Sequence, residues 1–194
     1  MNLIKNISDN VVICVGEFVF TDEGAKNGVH VFPNLTRDNS VIETIQDVPD
    51  DFVGGMYTYL NGVWTVTAHG SALRSEALAI QKVAKNAQIN EWRLAANLDS
   101  FTYLGKHIAS DLLSLLDIYG ANGEILNHGV LPVSWKGGWK AKDNTYVPIA
   151  TTADWLKFYS AMYNQGSTNF DHSQMLKATL AAATTTADID AIVW

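Results

Sequence analysis

Five histidines, His30, His69, His107, His128 and His172, are the first residues to test for metal or proton chemistry. None stands four residues from another, so the paired ligands of a zinc-binding His-Glu-x-x-His helix are missing. Asp171-His172-Ser173 supplies the residue types of a nucleophilic triad, but neighbours in sequence do not make triad geometry. Glu124 and Asp143 would act as a glycosidase pair only if the fold faced them across a cleft. Asp188 and Asp190 are two apart on a short predicted helix, which puts them on different faces as solvated or capping charges. The single cysteine, Cys14, has no internal disulfide partner. Flanked by Ile13 and Val15, it reads as a small buried apolar side chain. No nucleophile elbow, phosphate-binding loop or dinucleotide fingerprint occurs. The sequence therefore predicts no catalytic residue, no metal ligand and no cofactor.

Residues suited to binding are more evident. Met56 to Thr67 places Tyr57, Tyr59, Val63, Trp64 and Val66 around Asn61-Gly62, the preferred pair for a two-residue type I′ turn. Side chains alternate along a strand, so Tyr57 and Tyr59 share a face. With Trp64 they either cover a small sheet or form a candidate docking surface, because aromatic side chains are favoured in recognition surfaces.

The second binding feature is a long helix expected over 71–96, a stretch free of Gly and Pro and rich in good helix formers. Gly70 and Ser71 mark its start, with Ser71 able to cap it. Leu73, Ile80, Ala87 and Leu94 recur every seven residues. Ala77 and Ala84 fall four residues after the first two, and Glu91 interrupts this second series. Such a repeat keeps one apolar seam on a slightly underwound helix. At about 1.5 Å per residue the helix would reach about 39 Å. Two readings stay open: the helix lies against a neighbour within one chain, or its seam gathers two or three copies.

Around these features the chain reads as α+β. A small N-terminal β module (1–70) precedes the connecting helix with coiled-coil spacing (71–96) and a helix-rich C-terminal α+β domain (97–194). In the first module Val11–Phe20 reads as a strand run with a bulge at Gly16, Val29–Phe32 as a second strand, and Val41–Val48 as a third. In the last, Phe101–Ile108 is hairpin-like. Ser110 and Asp111 open a helix expected to bury Leu112, Leu113, Leu116 and Tyr119 and to end at Gly120, with Asn122-Gly123 as a turn. Strands reverse at Asp143-Asn144. Thr152 caps a helix with Asp154 in its first turn complementing the dipole and Trp155, Leu156, Tyr159, Met162 and Tyr163 inward, which stops at Gly166. A further helix from Phe170 turns Met175, Leu176 and Leu180 inward. Thr186 caps the last one, and Trp194 is expected to fold back on the core.

Composition limits the function classes. Hydrophobic and charged contents of 47% and 17% are those of a folded protein. A net charge of −7 argues against nucleic acid as a partner. No apolar run approaches the roughly 18 residues of a membrane span. The N-terminus lacks a signal peptide's apolar core, which points to synthesis in the cytoplasm.

Three stretches carry a family resemblance. They are Phe-x-Tyr-x-Gly-Lys at Phe101–Lys106, Trp-Lys-Ala-Lys-Asp-Asn-Thr-Tyr-Val-Pro at Trp139–Pro148, and the closing Ala183–Trp194. From Glu91 onward the chain resembles a small domain of unknown function found in tailed-phage and prophage proteins, which tend to be encoded near tail fibres. The Tyr57-x-Tyr59-x-Asn61-Gly62-x-Trp64 hairpin before a long helix is also similar to tail-fibre and fibre-assembly proteins. The family has no established catalytic residues, so the resemblance implies none. It implies a non-enzymatic tail protein of the virion, made in the host cytoplasm, that binds a tail fibre or baseplate protein. A homo-oligomer is expected, a trimer to match trimeric fibres. The alternatives it leaves are a fibre-assembly chaperone and a receptor- or glycan-binding tail module.

Overall fold

The β-branched and aromatic runs of the N-terminal stretch fold into eight short strands: β1 (Asn2–Asn6), β2 (Val12–Gly16), β3 (Val19–Thr21), β4 (Gly24–Asn27), β5 (His30–Phe32), β6 (Ser40–Thr44), β7 (Tyr57–Leu60) and β8 (Val63–Val66). The computed structural model describes Met1–Trp194, which divide into two units, Met1–Ala79 and Ile80–Trp194.

In the first unit β1 is central to an antiparallel sheet of order β2-β1-β6, and β3-β4-β5 form an antiparallel meander. Both faces of β1 are covered, with Leu3 in one apolar cluster and Ile4 in another. The run Val11–Phe20 is therefore two strands, broken after Gly16. The expected bulge is not at Gly16, which pairs with Asn2; the irregularity is at Ile13 of β2, the extra residue between Val12 and Cys14, opposite the step from Ile4 to Lys5 of β1. The third expected strand is shorter than Val41–Val48 and ends at Thr44. Cys14 is half-buried, at the edge of the Ile4, Phe18 and Ala25 cluster. The Asn61-Gly62 turn joins β7 and β8 with positive φ at both residues, 51° and 84°, as a type I′ turn requires.

The long helix α1 runs Ala68–Asp99, three residues beyond the expected range at each end. Its cap is Thr67, not Ser71. The Thr67 hydroxyl accepts from Gly70 N–H at 2.9 Å and donates to the Gly55 carbonyl at 2.8 Å. Thr67 wins because its own N–H is already held by the Met56 carbonyl at 2.8 Å, which fixes the chain where the hairpin ends.

The second unit adds the hairpin β9 (Ser100–Tyr103) and β10 (Lys106–Ala109), α2 (Leu112–His128), β11 (Gly138–Lys140), β12 (Tyr146–Pro148), α3 (Thr152–Ala182) and α4 (Thr186–Asp190). The fold is α+β. Its core gathers Phe101, Ile108, Ile118, Ile149, Trp155 and Phe158, all shielded from solvent. Two expected helix ends are not ends. α2 passes through Gly120 and Gly123 and stops at Gly129, whose φ of 74° is the left-handed conformation that closes a helix. α3 passes through Gly166 as one helix. An interior glycine costs about 1 kcal/mol against alanine. Packing outweighs that cost: Ile118 and Ile125 are buried on α2, and Asn122 accepts from the Trp155 indole at 3.1 Å.

The helix caps of α3 and α4 are the same device. Thr151 with Asp154, and Thr185 with Asp188, each form a reciprocal capping box, so each cap falls one residue before the expected Thr152 and Thr186. Asp188 is thus a capping charge. Trp194 does not close the core. It is 40% exposed and meets His172 edge-on at 4.7 Å.

Candidate functional site

The face of α1 that packs is set by Lys82, Lys85, Ile89 and Trp92. Ile89 is fully buried, and the Lys82 and Lys85 ammonium groups donate to the Ala181 and Ile192 carbonyls at 3.0 and 3.3 Å. At 3.6 residues per turn, the heptad seam lies roughly 160° away from that face. Ile80 and Leu94 are 64% and 59% exposed, and Ala77, Ala84 and Ala87 are exposed with them; Leu73 is half-buried. Val83, also exposed, widens the seam.

α2 departs from expectation in the same direction. Leu112, Leu116 and Leu126 are 69%, 64% and 72% exposed, and Leu113 and Tyr119 also face solvent. The helix buries Ile118 and Ile125 instead. Both outcomes are consistent with helical periodicity, because the helix is apolar on two sides. The spacing of Leu112, Leu116, Tyr119, Gly123 and Leu126 alternates four and three, the same interval as the α1 seam. α3 likewise buries Trp155 and Phe158 while Leu156, Tyr163 and Met175 remain outside.

The hairpin aromatics take the other course. Tyr57 and Tyr59 are 4% and 7% exposed, and Trp64 is half-buried. The three rings pack on one another and on Phe52. They cover a sheet, so they offer no docking surface. The Tyr57 hydroxyl lies between Asp51 and Arg74, and Arg74 Nε donates to Asp51 Oδ2 at 2.8 Å. The bond from Tyr57 and then that from Arg74 hold the Asp51 carboxyl below its ordinary value. Burial, and next the Asp51 bond, push the Tyr57 phenol up. This triad clamps the first turns of α1 to the hairpin.

The residue types with catalytic precedent are engaged elsewhere. Ser173 is fully buried, and its hydroxyl donates to the Phe170 carbonyl at 2.6 Å. His172 packs on Trp194. Asp143 pairs with Lys106 at 2.7 Å, which together with the Thr145 hydroxyl and N–H holds its carboxyl far below the usual range. A group so held cannot serve as a proton donor near neutral pH. Glu124 neighbours His128 on α2 and lines a different surface depression from Asp143. No group of three or more His, Cys, Asp or Glu side chains is gathered closely enough to hold a metal ion. No helix is long and apolar enough to cross a membrane.

The best-formed depression in the second unit was not foreseen. It is an open groove of about 460 Å³ lined by parts of α1, β9, α2 and α3, with Arg93, Asn97, Tyr119, Tyr163, Gln165 and Phe170 among its walls. No sequence signal marks it, because its residues come from four elements.

Neither the curated proteins nor the solved structures include a significant match to the chain. A family description does match, over residues 80–193, which is more than half of the sequence and nearly all of the second unit. The chain belongs to the family described as Domain of unknown function (DUF4376).

Proposed function

We propose that the protein is a non-enzymatic bacteriophage tail component that self-associates through helix seams and binds a tail fibre or baseplate protein. The observation that carries the assembly role is the α1 seam: its large apolar side chains face solvent, opposite the face the fold uses. Exposed large apolar side chains recurring along one helix face fit an interaction site. Its heptad spacing is self-complementary, so the occupant assigned to it is a second copy of this chain, packed in coiled-coil fashion. The α2 stripe, with the same alternating interval, serves further copy-to-copy contact. The assignment to a phage tail, and to a trimer, rests on the resemblance carried by Phe101–Lys106, Trp139–Pro148 and Ala183–Trp194. The engaged states of Ser173 and Asp143 support a binding role over a hydrolytic one.

In this reading the first unit contacts the fibre or baseplate protein. Leu60 and Val63, paired across the hairpin turn and both exposed, form an apolar tip suited to that contact. The test is the solution mass of the full chain, alone and with the neighbouring fibre protein. A trimer or a stable mixed complex is expected. A monodisperse monomer at high concentration, with no fibre protein bound, overturns the proposal.

A further inference from the structure

The groove between α1, α2 and α3 has a cation in its wall. Arg93 is half-buried, takes part in none of the chain's ion pairs, and lies over the Phe170 ring at 4.9 Å. A guanidinium over an aromatic ring is attracted by the ring face and keeps N–H groups available for a planar anion.

Beside it runs a side-chain amide relay. Gln165 Nε2 donates to Asn169 Oδ1 at 3.2 Å, and Asn169 Nδ2 donates to Asn97 Oδ1 at 2.8 Å. Asn169 is buried, so the relay is fixed from within. Its two ends line the groove. With this orientation Asn97 presents its amide N–H groups and Gln165 its carbonyl oxygen. A neighbouring donor and acceptor are what vicinal hydroxyls need, since each hydroxyl both donates and accepts. The remaining surface is aromatic: Tyr119 and Tyr159 meet edge-on at 6.4 Å, and Tyr163 is 69% exposed. A few convergent polar groups in an aromatic hollow of this size are the usual make-up of a small-ligand site.

We infer that this groove binds an acidic sugar residue, with its carboxylate on Arg93, neighbouring hydroxyls on Asn97 and Gln165, and its apolar ring face on the tyrosines. A bidentate pair with Arg93 gives the acid its advantage over a neutral sugar. A peptide is the poorer fit. Three of the walls are helices, whose main-chain groups are bonded internally, and β9 contributes only Ser100 and Phe101, too short a stretch to pair with an extended strand. The inference is separable from the assembly role of α1, because none of the α1 seam positions lines the groove; Tyr119, on the α2 stripe, is the one residue the two share.

The test is titration of the full chain with sodium glucuronate, glucose and benzoate, followed by calorimetry and by NMR shifts. Glucuronate is expected to bind about tenfold or more tightly than glucose, as a charge-assisted bidentate pair requires. Shifts should centre on Arg93, Asn97, Gln165 and Tyr163. Arg93→Ala should abolish the preference for the acid. Arg93→Lys should keep part of it, because a point charge replaces the planar fork. Tyr163→Ala, at an exposed position that leaves the core intact, should weaken both sugars. Three outcomes overturn the inference: no glucuronate binding, equal binding of glucose and glucuronate, or benzoate bound in the groove more tightly than glucuronate.

Discussion

Lys5 is the one charged side chain buried in the chain, and its surroundings explain how β1 tolerates it. Its ammonium group pairs with Glu43 at 2.7 Å, donates to the Tyr59 carbonyl at 2.7 Å and sits 5.6 Å above the Tyr59 ring. Lys5→Met removes the donor and leaves the carbonyl unsatisfied, so a loss of about 1–3 kcal/mol is expected in urea unfolding. Exposed carboxylates act together instead. Asp51, Asp99, Asp111, Asp143, Asp154 and Asp188 are each held below the ordinary value of 3.8, by bonds led respectively from Tyr57, Lys142, Ser114, Lys106, Thr151 and the Thr184 N–H. Depressed folded values mean that the unfolded chain binds protons first. Their stabilisation is complete above 3.8 and is lost as pH falls through the lowered values. A melting midpoint flat near neutrality and falling below about pH 4 is expected; one that rises on acidification contradicts this. Of these residues, sequence offered Asp188 as a solvated or capping charge, because a cap is local. It could not reveal Arg93 as a groove residue, since Phe170, its ring partner, is far along the chain.

At the level of elements, a glycine ends α2 through its backbone conformation and not through its mere presence. Gly120 has open space where a Cβ would stand and a helical backbone, whereas Gly129 sits at φ 74°. Gly120→Ala should stabilise by about 0.5–1 kcal/mol, and Gly129→Ala should destabilise by about 1–2 kcal/mol; paired thermal melts separate the signs. Reading Gly120 and Gly166 as stops fails because a helix with enough buried side chains passes through a glycine. Local chemistry was otherwise a sound guide. Asn61-Gly62 fixed its hairpin, and the two Thr-Thr-Ala-Asp stretches fixed two helix starts to within a residue. The face that α2 buries was not legible, since Leu112, Leu116 and Leu126 are as apolar as Ile118 and Ile125. Only the position of α3 and the hairpin decides which set is covered. In the core so formed, Phe158 contacts Phe101, Tyr103, Trp139 and Trp155. Phe158→Ala should cost about 3–5 kcal/mol in chemical unfolding.

For the molecule as a whole, the assembly proposal makes a prediction that separates association from folding. Ile80→Glu with Leu94→Glu places charges on the seam while leaving Ile89 and the packed face untouched. The pair should lower the oligomeric mass to that of the monomer, with helix content by circular dichroism unchanged. A mass unaffected by both substitutions would return the seam to a solvated surface. The α+β division was legible because strand-forming and helix-forming residues segregate along the chain. The exposed α1 seam was legible in spacing only, since periodicity does not say which side of a helix its own chain covers. The division into two units has an optical consequence. Of six tryptophans, Trp64 alone belongs to the first unit, pressed among tyrosines. In the second, Trp135, Trp139 and Trp155 lie within 5.5 to 6.1 Å of one another, an asymmetric group of chromophores. Near-ultraviolet dichroism will therefore be dominated by the second unit, and a Trp64→Phe difference spectrum will report the first, so each unit carries its own built-in signal of melting.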